Sequence, residues 1–156
     1  QAAKACKTLT EALYAAPSAI PLIAPLLAQS ALAAGEGEAT LALLKSTYLD
    51  VPSLDVLDAI VTLEASSSEL TPTARDWYAR HLEKEPSLVA ATKWIAGEKL
   101  EREAFHPQVQ RALDHAVKPL TRYRCAACGF EAKVHFWQCP GCQAWDSYPA
   151  RRVEEL

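Results

Sequence analysis

The sequence predicts a mainly α-helical body followed by a small, metal-bound β module. Three observations carry that prediction. A short motif recurs at a fixed interval, helical periodicity stops near Thr121, and two C-x-x-C pairs stand ten residues apart close to the C-terminus. Half of the 156 residues are hydrophobic, so a helical body of this length can bury a real core.

The recurring motif is Pro52-Ser53-Leu54, repeated as Pro86-Ser87-Leu88; at the same offset Leu44 maps to Tyr78 and His81 to His115. That offset, thirty-four, is the period of tetratricopeptide repeats, each a helix–turn–helix with a proline near the end of its second helix. The register puts full repeats at about 21–54 and 55–88 and a degenerate third at 89–120. Residues 1–20 then supply the second helix of an earlier repeat, in an array truncated at its N-terminus. Where the helices of such a repeat cross most closely a small residue is needed, and Cys6, Thr40, Ala74 and Gln108 occupy that place in turn. The large Gln108 marks the last repeat as departing from pattern. Gly35 is placed at an interhelical turn. Thr71-Pro72 reads as an N-cap with proline at the first helical position, and His106-Pro107 as a poorer version of the same start.

From Ala12 to Ala34 there are 23 residues without a charge, enough to span a bilayer. Pro17, Pro21 and Pro25 fall inside the stretch, Ser18, Gln29 and Ser30 interrupt it, and alanine dominates it. Buried helices of a soluble body are expected. With Gln1 first and no methionine anywhere, the sequence is read as a piece of a longer protein.

Charge divides unevenly. Residues 118–152 carry six basic side chains against Glu131 and Asp146, a net +4, which leaves −7 for the rest of a chain whose total is −3. A basic module on an acidic body favours docking of the two. The connection Lys118-Pro119-Leu120-Thr121 is short, lacks glycine and favours the same outcome, with Trp137 and Trp145 expected at or near the junction.

The module is defined by Cys125-Ala-Ala-Cys128-Gly129-Phe130 and Cys139-Pro140-Gly141-Cys142. Each C-x-x-C makes a tight knuckle that presents two thiolates, and a hairpin of ten residues folds one knuckle onto the other. The metal ligands are therefore Cys125, Cys128, Cys139 and Cys142, holding one zinc or iron ion per chain at Zn–S distances of about 2.3 Å. Gly129 suits the positive φ that follows a knuckle's second cysteine, and Gln143 fills the equivalent place in the other. Four sulfurs leave no position for water or substrate, so the site is structural or redox and not hydrolytic. His135 lies between the pairs and is read as a hairpin side chain. A module of about 30 residues cannot hold itself together by burial, and ligation supplies on the order of 10 kcal/mol. Five cysteines with this spacing indicate a reducing compartment.

Arg122-Tyr123-Arg124-Cys125-x-x-Cys128-Gly129-Phe130, followed by Trp137-x-Cys139-Pro140-x-Cys142-x-x-Trp145, resembles the C-terminal rubredoxin-like module of the lipopolysaccharide assembly protein B family. In that family the module follows a tetratricopeptide array. The resemblance is specific over 122–145, architectural over 1–120, and stops after Trp145. It divides the chain into helical repeats (1–120), a rubredoxin-like module (121–150) and a tail (151–156). It implies a non-enzymatic adaptor at the cytoplasmic face of the bacterial inner membrane, held there by an N-terminal helix. Its implied partners are the membrane AAA protease FtsH and the deacetylase of the lipid A pathway, whose degradation the adaptor promotes.

Two other functions compete with that one. True rubredoxins carry electrons through iron on four cysteines, but with a longer gap between knuckles. A zinc ribbon can also bind nucleic acid, yet this chain is acidic overall and its arginines flank the knuckles without forming a stripe. An iron site is red and a zinc site colourless, while nucleic-acid binding depends steeply on salt; the expectation here is no nucleic acid. No Gly-rich phosphate loop, nucleophile elbow or H-E-x-x-H occurs. Cys6 reads as a small buried residue, His81 and His115 as packing residues, and Glu98, Glu101 and Glu103 as a solvated helix face. No catalytic residue is assigned.

Overall fold

The computed structural model describes residues 1–66, 73–97, 104 and 106–156. Seven helices are found among them: α1 (Ala2–Ala15), α2 (Ile20–Ala34), α3 (Gly37–Asp50), α4 (Leu54–Ser66), α5 (Thr73–Lys84), α6 (Leu88–Ala96) and α7 (His106–Val117). Two short strands follow, β1 (Tyr123–Arg124) and β2 (Glu131–Ala132), and a last 3₁₀ turn covers Val153–Glu155. The predicted helical body with a small C-terminal β module is what the chain forms. Helices α2, α4 and α6 begin at Ile20, Leu54 and Leu88, so their starts keep the interval of the sequence motif. The chain divides into two compact units, Gln1–Trp77 and Tyr78–Leu156, with the boundary within α5.

In the first unit α2 packs against α1, α3 and α4. Its alanines explain why one helix can serve three neighbours. Ala24, Ala28 and Ala31 are buried on one stripe with Leu27, and their small side chains let helix backbones approach closely. Leu44 and Tyr48 of α3 and Val56, Leu57 and Ile60 of α4 fill the remaining core. Pro21 lies in the first turn, where a missing N–H costs nothing, whereas Pro25 interrupts the ladder inside the helix. Gly35 ends the helix at φ +73. The Glu36 N–H donates to the Ala31 carbonyl (2.9 Å) and the Gly35 N–H to that of Leu32 (3.3 Å), closing a Schellman turn at the predicted interhelical position.

Pro17–Ala34, with a mean hydropathy of 1.4, is long and apolar enough to cross a membrane by length and composition. One stripe of it packs against α1, α3 and α4, and 33% of the stretch is buried.

Two residues proposed for close helix crossings, Cys6 and Thr40, are buried, and their Sγ and Oγ1 atoms lie 3.9 Å apart. Gln108 is exposed, in keeping with its departure from the small-residue pattern. The side chain of Ala74 lies outside the described residues, as do Thr71-Pro72, Glu98, Glu101 and Glu103. Burial, reinforced by Glu36, pushes the Cys6 thiol above its ordinary pKa, so it is a packed and unreactive thiol at neutral pH. Further along, the buried Glu64 carboxylate is satisfied by Lys45 (2.6 Å) and by the Trp77 indole N–H (3.1 Å), and the Trp77 ring meets Tyr48 edge-on.

In the second unit α6 packs against α7. The Ser87 hydroxyl accepts from the Ala90 N–H at 3.0 Å and so caps α6. Its repeat equivalent, Ser53, has a buried hydroxyl without a hydrogen-bond partner among the described residues. The equivalence of His81 and His115 does not extend to their surroundings: His81 is buried and His115 exposed.

Candidate metal centre

The centre is built from two knuckles with the same hydrogen-bond pattern. In the first, the Cys125 N–H donates to the Phe130 carbonyl (3.0 Å) and the Gly129 N–H to that of Cys125 (2.9 Å). In the second, Cys139 donates to Ala144 (2.9 Å) and Gln143 to Cys139 (2.8 Å). Closing so tight a turn requires a left-handed residue after the second cysteine, and Gly129 (φ +78) and Gln143 (φ +62) hold those places as predicted. β1 pairs antiparallel with β2 in the register Tyr123–Ala132 and Arg124–Glu131, and an isolated bridge joins Gln138 to Trp145. Arg124 reinforces the first pairing by donating to Glu131 at 2.7 Å. The Phe130 ring then lies over Gly141, where an added Cβ would meet it at 3.3 Å.

This scaffold brings all four predicted ligands together. Cys125 Sγ stands 3.8 Å from Cys142 Sγ, Cys128 Sγ stands 3.7 Å from Cys139 Sγ, and all four sulfurs lie within 4.8 Å of one another. A tetrahedral ion with bonds of about 2.3 Å has sulfur–sulfur edges of about 3.8 Å, so the shell fits one zinc or iron ion. Cys125 and Cys139 are buried, whereas Cys128 and Cys142 face solvent. His135 is not a ligand: its Nε2 lies 3.0 Å from the Tyr148 carbonyl oxygen, and its ring packs edge-on between Tyr123 and Trp137.

Electrostatics differ among Cys125, Cys128 and Cys139. The Ser147 hydroxyl, 3.3 Å from Cys125 Sγ, does most to hold that thiol down to about 6, with the Cys128 and Ala127 amides assisting against burial. Burial raises the pKa of Cys139, but the N–H groups of Cys142 and Gly141 outweigh it and the net direction is down. The Phe130 amide pulls Cys128 down, yet burial and hydrogen bonding among the neighbouring sulfurs together push it up to about 12. Four crowded thiolates cannot all be ionised without a cation, which is the chemistry of a closed metal site.

Sequence reasoning placed the four ligands and missed their supports. Tyr148 is buried beside the site, donating its hydroxyl to the Phe130 carbonyl (3.1 Å) and lying 3.9 Å from Cys139 Sγ; Ser147 polarises Cys125. Both lie beyond Trp145, where the motif resemblance ends, and no spacing rule points to them. The predicted junction residues also need correction. Trp137 and Trp145 remain 61% and 71% exposed, and the link from ribbon to helix is polar. Glu154 makes it, accepting from the Ser87 hydroxyl (2.8 Å) and the Leu88 N–H (2.6 Å). A carboxylate at a helix N-terminus gains charge-assisted hydrogen bonds and a favourable dipole that an indole cannot obtain there.

The left-handed positions yield a test. Gly129→Ala meets nothing within 4 Å, so its cost is conformational and is expected to be about 1 kcal/mol. Gln143→Gly relieves backbone strain while loosening the unfolded chain, and should change stability by less than about 0.5 kcal/mol. Thermal denaturation of the two zinc-loaded variants distinguishes these outcomes.

Two cysteine knuckles closing one four-sulfur shell on a minimal β scaffold define a rubredoxin-type zinc ribbon. Residues 123–148 match the family described as the rubredoxin metal binding domain. Over 41 residues the chain is 44% identical to lipopolysaccharide assembly protein B of Escherichia coli strain K12, and equally to that of the O157:H7 strain. The matched segment is 26% of this chain and only 10% of the length of those relatives.

Proposed function

We propose that the chain is the cytoplasm-facing part of a non-enzymatic adaptor that regulates lipopolysaccharide synthesis at the bacterial inner membrane. The supporting observation is the 44% identity of the metal-binding segment to a protein named for lipopolysaccharide assembly. A closed sulfur shell offers no open coordination position for hydrolytic chemistry, which favours a scaffolding role. Helix starts that keep the interval of the sequence motif favour a tetratricopeptide-type array at 1–120, a fold whose surfaces serve protein recognition. In this reading the full-length protein presents the lipid A pathway deacetylase to the membrane protease FtsH and shortens its lifetime.

The test is the decay of the deacetylase after translation arrest, in cells depleted of their own lipopolysaccharide assembly protein B. Expression of the full-length protein carrying this chain is expected to shorten the half-life several-fold, and the Cys125→Ser form to leave it long. A half-life unaffected by the parent protein refutes the adaptor reading. A red, iron-loaded protein that exchanges electrons with a reductase would replace it with the electron-carrier reading.

A further inference from the structure

We propose that the C-terminal segment Tyr148–Glu155 is a clasp through which metal in the four-cysteine site keeps the N-terminus of α6 capped. At the helix end, the Glu154 carboxylate accepts from the Ser87 hydroxyl (2.8 Å), the Leu88 N–H (2.6 Å) and the Val89 N–H (3.2 Å). Ser87 itself covers the Ala90 N–H, so serine and glutamate together satisfy three donors of the first turn. Those donors belong to a helix outside the ribbon, and their acceptor arrives from 66 residues further along the chain.

Most of what positions Glu154 rests on the ribbon or on the turn that leads into it. Its own N–H donates to the Leu120 carbonyl (3.2 Å), and the Val153 N–H donates to that of Arg122 (2.8 Å). The Arg152 guanidinium lies 4.2 Å from the centre of the Tyr123 ring and donates to the Thr121 carbonyl at 2.8 Å. Tyr123 begins β1, and Tyr148, at the other end of the clasp, packs beside Cys139. A ribbon with one two-residue strand pair has no core able to hold these surfaces without its ion. Losing the metal therefore removes the platform of Tyr123 and Tyr148, frees Glu154, and uncaps α6. Coupling of this kind is reciprocal: the clasp must strengthen metal binding by the same factor by which metal strengthens the clasp.

Amide hydrogen exchange on the whole chain tests the proposal, with zinc bound and after its removal by a chelator under reducing conditions. Exchange at Leu88 and Val89 is expected to accelerate about fivefold on zinc removal, the size of one lost helix cap. Zinc-loaded Glu154→Ala should show the same acceleration with the ribbon amides still protected, and Glu154→Gln, which keeps an acceptor, a smaller one. Unchanged exchange at Leu88 and Val89 in zinc-loaded Glu154→Ala overturns the capping role. Unchanged exchange there on zinc removal, while Gly129 and Gln143 lose protection, overturns the coupling. If zinc removal also speeds exchange in α2, chelator competition decides: Glu154→Ala must bind zinc about fivefold more weakly, and undiminished affinity overturns the clasp.

Discussion

Replacing Cys125 or Cys139 by serine is expected to empty the metal site and unfold residues 121–148 while α1–α4 remain helical. The two buried cysteines are the informative choice because each sits at the closed end of its knuckle, its N–H and carbonyl both engaged in the turn. Serine is close to cysteine in volume, so the variants test ligation more than packing. A hydroxyl is a poor ligand for zinc at neutral pH, and three remaining sulfurs bind several orders of magnitude more weakly than four. Little else supports the ribbon, whose sheet has one pair of two-residue strands. The core of Ala24, Leu27, Leu44 and Leu57 is packed mainly by α1–α4. Elemental analysis should fall from one ion per chain to near zero. Amide resonances of 121–148 should collapse to unfolded positions while far-ultraviolet circular dichroism keeps most of its helical signal. Global loss of helix would show that the body depends on the ribbon.

Zinc affinity should rise steeply with pH, by at least about tenfold per unit between pH 6 and 8. In the metal-free site Cys128, pushed up to about 12, holds its proton throughout that range, whereas Cys125, held down to about 6, is mainly ionised. Binding the ion displaces the Cys128 proton. The metal-bound state thus carries fewer protons than the free state, and raising the pH favours binding. Below about pH 6 Cys125 also protonates, one more proton must leave on binding, and the dependence steepens further. Competition with a chelator whose own pH dependence is known measures the slope. A flat profile between pH 6 and 8 contradicts the proton count. Ser147→Ala, which removes the main influence holding Cys125 down, should shift the steep region to higher pH.

Much of the site was legible because its determinants are local. A knuckle closes through hydrogen bonds between residues four and five apart, so cysteine spacing names the ligands, and Gly129 and Gln143 mark the left-handed positions without reference to anything distant. Helix placement was legible for a related reason. The Pro-Ser-Leu motif marks the starts of α4 and α6, one further step of the same interval reaches the start of α2, and Gly35 supplies the turn chemistry between α2 and α3.

Tertiary structure decided what depends on partners far along the chain. Equivalence by sequence interval did not make His115 as buried as His81, because burial is set by what packs on each position and not by the interval. Aromatic content suggested that Trp137 and Trp145 would seek cover, yet both stay largely in solvent. Nothing periodic in Arg152-Val153-Glu154 reveals that the glutamate will complete the first turn of a helix 66 residues earlier. Ligand identity, knuckle geometry and helix phase were therefore determined by the sequence alone, since each is set within a few residues or by a fixed interval. The capping of α6 by the tail, the support of the sulfurs by Ser147 and Tyr148, and the division of the chain inside α5 were decided only by the folded structure. Contacts that close over long, aperiodic loops leave no local signature in the residues that make them.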